Sequence, residues 1–420
     1  MPDLARDSRA ALSEDGALAR DIPAFMPRPA QQRLAQAVAE AFGSRGTLLA
    51  EAGTGTGKTY AYLVPALLSG LKTIVSTGTR ALQDQLYHRD LPRVRDALGT
   101  GLKTALLKGR ANYLCRYRME QAKGEPAFAT RELASQFQRV VAWSGRTRMG
   151  DLAELEGLAE DTPLLPVVTS TGENCLGSDC PFWSECFVVQ ARQRAQSADL
   201  VVVNHHLLLA DLALKQEGFG EILPGAQAFV VDEAHQLPDL AAQFFGEAMG
   251  ARPVAELARD ALRESSGVHG ALALVQAPAQ RLEQSLRALR AAMEGLPTRG
   301  TVARTLDAPG IGAGFDALAA SLDGLAEATA PLREAAPGLD GCFARARDFA
   351  GRLDRWRGAG LDEAAPDPDA QSVRWYELSP RGFRLQATPL DVSGPLRAHR
   401  EQSRAAWVFT SATLAVAGEF

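Results

Sequence analysis

The sequence of 420 residues predicts an α/β fold with a parallel, doubly wound sheet. Two observations support this fold class. Short apolar strands alternate with helical segments in the first hundred residues and again from residue 199, which is typical of parallel sheets covered by helices. A Val-rich run at 228–232 also ends in a carboxylate. Asp232 is therefore expected at the carboxyl edge of the sheet, where ligands bind in open α/β folds.

Apolar periodicity and length distinguish the expected elements. Residues 1–27 are polar and interrupted by prolines, 240–365 have helical spacing with much Ala, Leu, Arg and Glu, and 362–369 form a linker. The remaining expected elements are helix 28–42, strand 48–51, helix 59–68, strand 72–77, a helix that contains Gln83 to Gln85, and strands 103–107, 199–204, 228–232, 374–378, 382–387 and 405–410.

A glycine-rich loop lies between the first strand and its helix, the context that a phosphate-binding loop requires. Small residues let backbone N–H groups approach phosphate oxygens, and a nearby cation completes such a site. Lys58 is expected to reach the β- and γ-phosphates of a nucleoside triphosphate and Thr59 to ligate Mg²⁺. The alternative is a glycine-rich turn with an unrelated lysine. Ala52 replaces the usual first glycine, and the other loop residues are Gly53, Thr54, Gly55, Thr56 and Gly57.

The sequence Asp-Glu-Ala-His at 232–235 follows the Val-rich strand and complements that loop. Asp232 is expected to hold Mg²⁺ through water, and Glu233 to accept the proton of an attacking water. His235 would link the nucleotide state to the rest of the protein. A solvated acidic loop is the alternative. Ser411 and Thr413, after the last strand, are a weaker signal for coupling, and a hydroxyl-rich strand end would explain them equally.

Four cysteines interrupt the α/β pattern within 108–190. Four thiolates suit a tetrahedral Zn²⁺ or a [4Fe–4S] cluster, and the wide spacing favours the larger cluster, although zinc and unligated thiols remain open. Cys342 is expected to be a packed thiol. Arg110 belongs to a set of basic residues around the first cysteine that could contact phosphates or form a solvated surface. The four cysteines are Cys115, Cys175, Cys180 and Cys186.

The composition places the chain in the cytoplasm. No apolar stretch reaches membrane-spanning length, so membrane partners are not expected. Few cysteines, in a metal-like arrangement, fit a reducing compartment. The formal net charge of −5 neither supports nor excludes nucleic acid, because such binding needs a basic track and not a basic protein.

The order of these motifs resembles the iron–sulfur-containing XPD-like branch of superfamily 2 DNA helicases, with the bacterial DinG/YoaA branch as the most similar. The match begins near Arg28 and extends over the rest of the chain. The motifs that carry the resemblance are Glu51–Thr59, Ser76–Arg80, Leu82–Leu86, Leu107–Cys115, Cys175–Cys186, Val203–His206, Asp232–His235 and Thr410–Thr413.

The resemblance implies ATP-driven 5′-to-3′ movement on single-stranded or forked DNA, in DNA repair or replication-fork maintenance, with replication or repair proteins as partners. It assigns a [4Fe–4S] cluster to the four cysteines, adenine recognition to Gln31, and DNA-backbone contacts to Thr77 and Arg80. The implied domains are a RecA-like motor domain in three parts (1–107, 191–239 and 371–420), an inserted iron–sulfur domain (108–190) and an inserted, mostly helical arch (240–370).

The family continues into a second RecA-like domain, whereas this sequence stops at Phe420. We therefore expect the chain to fold, to hold the cluster and to bind ATP weakly, but not to unwind DNA alone, because transition-state charge is neutralised from the second domain. Two alternatives remain open. One is a non-hydrolysing module that binds ATP and single-stranded DNA, and the other is a zinc-stabilised RNA-remodelling ATPase.

Overall fold

A computed structural model describes residues 3–53, 55–123, 128, 130–159, 161–216, 222–306, 308–358, 372–380, 382–389 and 391–414. Thr54 and the linker expected at 362–369 lie outside these residues. The strands are β1 (Thr47–Glu51), β2 (Thr73–Thr77), β3 (Thr104–Leu106), β4 (Leu200–Asn204), β5 (Ala228–Asp232), β6 (Glu247–Gly250), β7 (Arg299–Thr301), β8 (Ser372–Ser379), β9 (Gly382–Pro389) and β10 (Ala406–Ser411).

The α-helices range from one turn to about six turns. They are α1 (Leu4–Ala11), α2 (Ala17–Asp21), α3 (Pro29–Ser44), α4 (Lys58–Leu68), α5 (Arg80–Gln85), α6 (Leu91–Ala97), α7 (Arg116–Lys123), α8 (Arg131–Ser144), α9 (Leu165–Val168), α10 (Phe187–Gln196), α11 (His205–Gln216), α12 (Leu237–Phe244), α13 (Ala251–Ser266), α14 (Ala271–Ala292), α15 (Val302–Leu306), α16 (Ile311–Thr329), α17 (Pro337–Arg357) and α18 (Ser393–Ser403). Among the described residues, no helix is both long and apolar enough to cross a membrane.

The chain divides into two compact units, each assembled from separate segments. The first, which we call the sheet unit, contains Met1–Gly109, Phe187–Phe244 and Val392–Phe420. The second, which we call the helical unit, contains Arg110–Cys186 and Phe245–Asp391. Both units are therefore discontinuous in sequence.

The sheet unit contains the expected α/β fold, with a six-stranded parallel sheet in the order β1-β10-β5-β2-β4-β3. Its central strands are almost continuous apolar runs, because both faces are covered; β2 and β4 are buried at every position. The parallel sheet predicted from the alternating pattern is confirmed.

The first residues contain two helices that the polar sequence did not predict. Asp3 caps α1 by accepting a hydrogen bond from the Arg6 backbone N–H. Leu12 and Leu18 are completely buried in the core of the sheet unit. Contacts with distant parts of the chain thus stabilise short helices whose local pattern is mostly polar.

The helical unit joins four long helices, α13, α14, α16 and α17, to a small antiparallel sheet in the order β6-β9-β8-β7. Phe315, Phe349 and Trp356 lie in their shared core. The helical expectation for 240–365 holds for most of that segment, but β6 and β7 were not anticipated. The predicted strand pair is present as β8 and β9, and it pairs with those two strands in this unit.

A buried group of charges connects three helices of the helical unit. Asp260 of α13 accepts from Arg118 of α7 at 3.2 Å and from Arg345 of α17 at 2.8 Å. All three side chains are at least nine-tenths buried, and the less buried Arg263 also pairs with Asp260 at 3.2 Å, so the carboxylate balances three guanidinium groups. The helix that follows Cys115 is thereby fixed to two of the long helices.

Candidate nucleotide site and cysteine set

The carboxyl ends of the parallel strands bring the motif residues of the sheet unit to one edge. The sequence motifs that follow these strands are far apart along the chain, yet the sheet order makes them neighbours. The residues at the strand ends are Glu51 of β1, Thr77 of β2, Asn204 of β4, Asp232 of β5 and Ser411 of β10.

The glycine-rich loop turns directly into α4, whose first residue is Lys58. Gly55 and Gly57 have φ values of 77° and 84°, a left-handed conformation that other residues adopt only with strain. A side chain on Gly57 would also lie 2.2 Å from Gln31 Nε2, which donates to the Gly57 carbonyl at 3.0 Å. Backbone N–H groups at the start of a helix are suited to binding an anion.

Lys58 contacts Glu233 at this edge of the sheet. The Lys58 Nζ atom lies 3.2 Å from Glu233 Oε1, and the lysine side chain is 9% exposed. Glu233 has φ of 55°, an uncommon conformation for a residue other than glycine that is associated with functional sites. The loop lysine and the second acidic residue of the 232–235 motif therefore share one small volume.

Three donors fix the Asp232 carboxylate. Tyr62 Oη donates to Oδ2 at 3.1 Å, whereas Thr410 Oγ1 and the Glu233 backbone N–H donate to Oδ1 at 3.2 and 3.0 Å. Burial and then the neighbouring charge of Glu233 raise the pKa of Asp232, while Lys58 and the hydroxyl donors oppose that rise. Burial also raises the pKa of Tyr62, and the nearby Thr59 side chain opposes that rise. Tyr62 thus lies beside both residues predicted to ligate Mg²⁺.

His235 connects the acidic motif to the last strand. Its Nδ1 atom is 2.7 Å from Ser411 Oγ and 3.5 Å from Glu233 Oε2. The same Ser411 hydroxyl accepts the backbone N–H of Thr413 at 3.3 Å. Of the residues after the last strand that were predicted to couple nucleotide state to motion, Ser411 therefore contacts the acidic motif directly, and Thr413 is linked to it through Ser411.

A second histidine is buried behind the acidic motif. His205 Nδ1 lies 2.7 Å from Ser76 Oγ, and both residues are almost completely buried. Burial lowers the pKa of His205 to about 4, although the backbone of Asp232 and Glu233 favours the protonated form. No described residue forms a hydrogen bond of ordinary geometry with His205 Nε2. The backbone of Asp232 and Glu233 therefore favours the protonated imidazole from nearby, without a well-aligned hydrogen bond.

The residues predicted to contact DNA lie in different surroundings. Thr77 is buried at the end of β2, and Arg80 is exposed at the start of α5. Burial and then the charge of Arg80 lower the pKa of His206, which places Arg80 near the end of β4. Arg110 is half-buried and belongs to the helical unit.

A pocket of about 240 Å³ lies beside the glycine-rich loop in the sheet unit. Gln31 and Gly57 form one side of it, and Phe25 and Tyr60 contribute two stacked rings whose centroids are 6.2 Å apart. An apolar wall next to a polar amide is the surface that a nucleobase needs.

The four clustered cysteines all lie in the helical unit and form no disulfide. Burial raises the pKa of Cys115 and Cys180. The other three thiols of the set raise the pKa of Cys180 further, so all four are close neighbours. Within the described residues, however, no three His, Cys, Asp or Glu side chains are arranged to hold a metal ion. Cys342 is only 2% exposed, which confirms that it is a packed thiol.

Comparison with known proteins shows that this chain is similar to helicases. Residues 28–147 match the family model of DEAD/DEAH box helicases. The ATP-dependent DNA helicase YoaA of Haemophilus influenzae is 41% identical over 411 residues, which cover 97% of this chain and 63% of that protein. The ATP-dependent helicase DinG of Mycobacterium tuberculosis is 42% identical over 234 residues, or 50% of this chain and 34% of that protein. The structure of S. tokodaii Xpd4 has a TM-score of 0.43 and 13% identity over 94% of this chain and 60% of that one.

The chain is a homologue of the YoaA and DinG helicases. It spans less than two thirds of the length of the YoaA protein that it matches.

Several residues at the site of this helicase homologue were not predicted. Tyr62 could have been found, because it lies three and four residues after Thr59 and Lys58 and so shares their face of α4. Thr410 and Ser76 lie in recognised motifs but were given no role, since their contacts depend on which strands are neighbours. His205 belongs to a motif that was recognised without any role for this residue.

Proposed function

We propose that the chain forms the ATP-binding part of an ATP-dependent DNA helicase that moves 5′ to 3′ on single-stranded or forked DNA in repair or at replication forks. The observation that carries the proposal is the 3.2 Å contact between Lys58 and Glu233 at the sheet edge. This contact joins the phosphate-binding loop to the acidic motif, and phosphoryl transfer depends mainly on positioning and charge neutralisation by those two parts.

Each side chain at the edge has a distinct role in this proposal. Lys58 exchanges its contact with Glu233 for the β- and γ-phosphate oxygens, which releases the Glu233 carboxylate to accept a proton from water. Thr59 and Asp232 hold Mg²⁺, which neutralises phosphate charge when bound. The fit of the metal rests on the Asp232 carboxylate, already oriented by three donors beside Thr59.

The loop and the adjacent pocket would bind different parts of the nucleotide. Backbone N–H groups of the loop, from Gly53 through Gly57 and including Thr54, would bind the phosphates. Gln31 would recognise adenine, and the Phe25 and Tyr60 rings would bound the base. His235, with Ser411 and Thr413, would transmit the occupancy of the site to the rest of the protein.

The four cysteines match a [4Fe–4S] cluster in the number and chemistry of their donor atoms, which supports the proposal although the thiols are not arranged around a metal. Four neighbouring thiols without disulfides supply the ligands that such a cluster needs, and burial would stabilise it against solvent. We assign Cys115, Cys175, Cys180 and Cys186 as its ligands. The cluster would crosslink separate segments of the helical unit, as metal binding does in other small domains.

Contacts to DNA are proposed for Thr77, Arg80 and Arg110. Arg80 is the best placed of the three, because it is exposed at the same edge as the nucleotide site. The proposal also includes an inserted iron–sulfur domain at 108–190, an inserted arch at 240–370 and the motor segments around them. It further includes replication or repair proteins as partners and a cytoplasmic location.

Binding of ATP tests the central part of this proposal directly. Titration of the purified chain with ATP and Mg²⁺ by calorimetry should give saturable binding, and Lys58→Ala should weaken it by a factor on the order of 10 to 100, because a charge-assisted contact is lost. Lys103→Ala is a matched control, since Lys103 is exposed on the same unit. Equal affinity in the two variants, or no binding by the wild-type chain at millimolar ATP, would contradict the proposal.

A further inference from the structure

Helix α11 begins with a buried histidine that has no role in the proposed nucleotide chemistry. His205 is completely buried, and its Nδ1 atom lies 2.7 Å from Ser76 Oγ of β2. Its other ring nitrogen, Nε2, forms no hydrogen bond of ordinary geometry with any described residue. Because an unpaired buried polar atom is costly, the position of Nε2 indicates a function for this side chain.

The sheet order brings His205 close to the acidic motif. β2 lies between β4 and β5, and Ser76 is level with Val203 of β4 on one side and with Val231 of β5 on the other. His205 follows β4 directly, and the acidic motif at 232–235 starts with the last residue of β5. The ends of three neighbouring strands thus bring the histidine, the serine and the acidic motif together.

The backbone of the acidic motif faces the imidazole through its carbonyl groups. Burial lowers the pKa of His205, whereas the backbone of Asp232 and Glu233 raises it. A backbone favours the protonated ring where carbonyl oxygens face a ring nitrogen, because backbone N–H groups would favour the neutral form. Since Nδ1 is occupied by Ser76, the nitrogen that faces these carbonyl groups is Nε2.

This arrangement determines which nitrogen carries the proton of the neutral ring. A neutral imidazole has one donor and one acceptor nitrogen, and carbonyl oxygens only accept. The Nε2 atom of His205 is therefore the donor, and Nδ1 accepts a hydrogen bond from the Ser76 hydroxyl. Ser76 thus fixes the tautomer in which the ring attracts the backbone of the acidic motif.

The conformation of Glu233 needs support of this kind. Its φ of 55° is unfavourable for a residue with a side chain, and its carboxylate lies 3.2 Å from Lys58 Nζ. In the proposed function, Lys58 leaves that contact for the phosphates of ATP. The Glu233 backbone N–H donates to Asp232 Oδ1, which belongs to a proposed magnesium ligand. A support that is independent of Lys58 and of the metal would keep the Glu233 carboxylate in place.

We propose that His205 is a positioning residue for the base of ATP hydrolysis, an inference that rests on the proposed function. Its Nε2–H group, oriented by Ser76, holds the backbone of Asp232 and Glu233 so that the Glu233 carboxylate stays at the sheet edge. The attraction does not need ideal alignment, because an N–H dipole that faces carbonyl groups is poorly screened in a buried site.

The tautomer of His205 tests the proposed geometry directly. In a chain with ¹⁵N-labelled histidine, long-range ¹H–¹⁵N spectra distinguish protonated from unprotonated ring nitrogens, and the His205 signals are those missing from His205→Asn. We expect the Nε2–H form in the wild-type chain and a mixture of both tautomers in Ser76→Ala. A predominant Nδ1–H form in the wild-type chain would overturn the inference, because Nε2 could then not donate.

Affinity for ATP, measured by calorimetry, tests the effect on Glu233. Because Glu233 competes with phosphate for Lys58, Glu233→Gln should tighten binding of ATP and Mg²⁺ about fivefold, as for the loss of one partly exposed ion pair. His205→Asn keeps an acceptor for Ser76 but lacks the Nε2 donor. It should therefore also tighten binding, and it should add nothing to the effect of Glu233→Gln. His205→Gln, whose amide N–H can reach the Nε2 position, should restore the wild-type affinity.

The outcomes separate this inference from a packing effect and from the proposed function. Weaker ATP binding by His205→Asn, both alone and combined with Glu233→Gln, would indicate a packing defect and contradict the inference. His88→Asn is the control and should bind as the wild-type chain does, since His88 is an exposed histidine of the sheet unit. A wild-type chain that binds no ATP contradicts the proposed function and the inference together, whereas an Nδ1–H tautomer in a chain that binds ATP contradicts the inference alone. Urea unfolding at neutral pH shows that each variant is folded in the titrations.

Discussion

Tyr62 lies beside both side chains that we propose as magnesium ligands. Its hydroxyl donates to Asp232 and is close to the Thr59 side chain, so one buried group orients the carboxylate next to that hydroxyl. Such outer contacts commonly determine how well a metal is held, because they fix the direction of the ligand atoms.

Tyr62→Phe should therefore weaken metal-dependent binding of ATP. We expect about a tenfold loss of affinity in the presence of Mg²⁺, as for one hydrogen bond to a charged group, and little change in EDTA. Calorimetric titrations under both conditions measure the difference. Tyr87→Phe is the control, because that hydroxyl donates to the Thr104 carbonyl away from the site. Equal losses with and without Mg²⁺ would indicate a packing defect and not a role in orienting ligands.

His205 should make the chain less stable in mild acid. Its pKa is about 4 in the folded chain against about 6.5 in an unfolded one, so between these values the unfolded chain binds more protons. The contribution of the neutral histidine is complete above pH 6.5 and declines as the pH falls towards 4. At pH 5 the loss is about 2 kcal/mol. Urea midpoints at pH 7 and 5 should therefore differ more for the wild-type chain than for His205→Gln, and equal differences would refute this account.

The side chains of the phosphate loop and of the acidic motif were predictable because each motif is local. Lys58 and Asp232 can each be recognised from a few neighbouring residues in the sequence, and the structure brings them to one edge of the parallel sheet. The roles of Ser76 and Thr410 were not predictable, because they arise where residues more than a hundred positions apart become adjacent.

The helices α7, α13 and α17 depend on the buried carboxylate of Asp260. Asp260→Asn would leave the Arg118 and Arg345 guanidinium groups without a balancing charge, and breaking a buried pair of this kind costs about 3–5 kcal/mol. We expect faster amide hydrogen exchange in α7 and α13. Asp323→Asn is the control, since its pair with Arg347 is exposed and should contribute at most about 1 kcal/mol. Similar exchange in both variants would count against the buried network.

Strands of the parallel sheet were predicted well, and the short elements were not. β4 and β5 are continuous apolar runs, so their ends were located within one residue. β6 and β7 contain four and three residues, too few to show alternation, and they are strands because β9 and β8 supply hydrogen-bonding partners.

The cysteine set should control the stability of the helical unit. Anaerobically purified chain should contain about four iron and four acid-labile sulfide atoms, and Cys180→Ser should lose most of them and expose 110–186 to protease. Cys342→Ala is the control, because that buried thiol lies outside the set. Metal analysis and limited proteolysis give both readouts. Zinc instead of iron, or a Cys180→Ser variant indistinguishable from the control, would refute the assignment.

The α/β class was predictable for the chain as a whole, but its strand order was not. Each strand can be recognised from its own sequence pattern, whereas strand pairing depends on segments as distant as β1 and β10. No local sequence pattern indicates that the last described strand lies between the first strand and β5.

That position has a consequence for synthesis on the ribosome. β10 separates β1 from β5 in the sheet, so both earlier strands lack a neighbour until residues 406–411 have been made. By then the segments of the helical unit, which end at Asp391, have already been translated. The nascent chain therefore carries the glycine-rich loop and the acidic motif before the strand that lies between them, and the proposed nucleotide site can be complete only after that strand has been made.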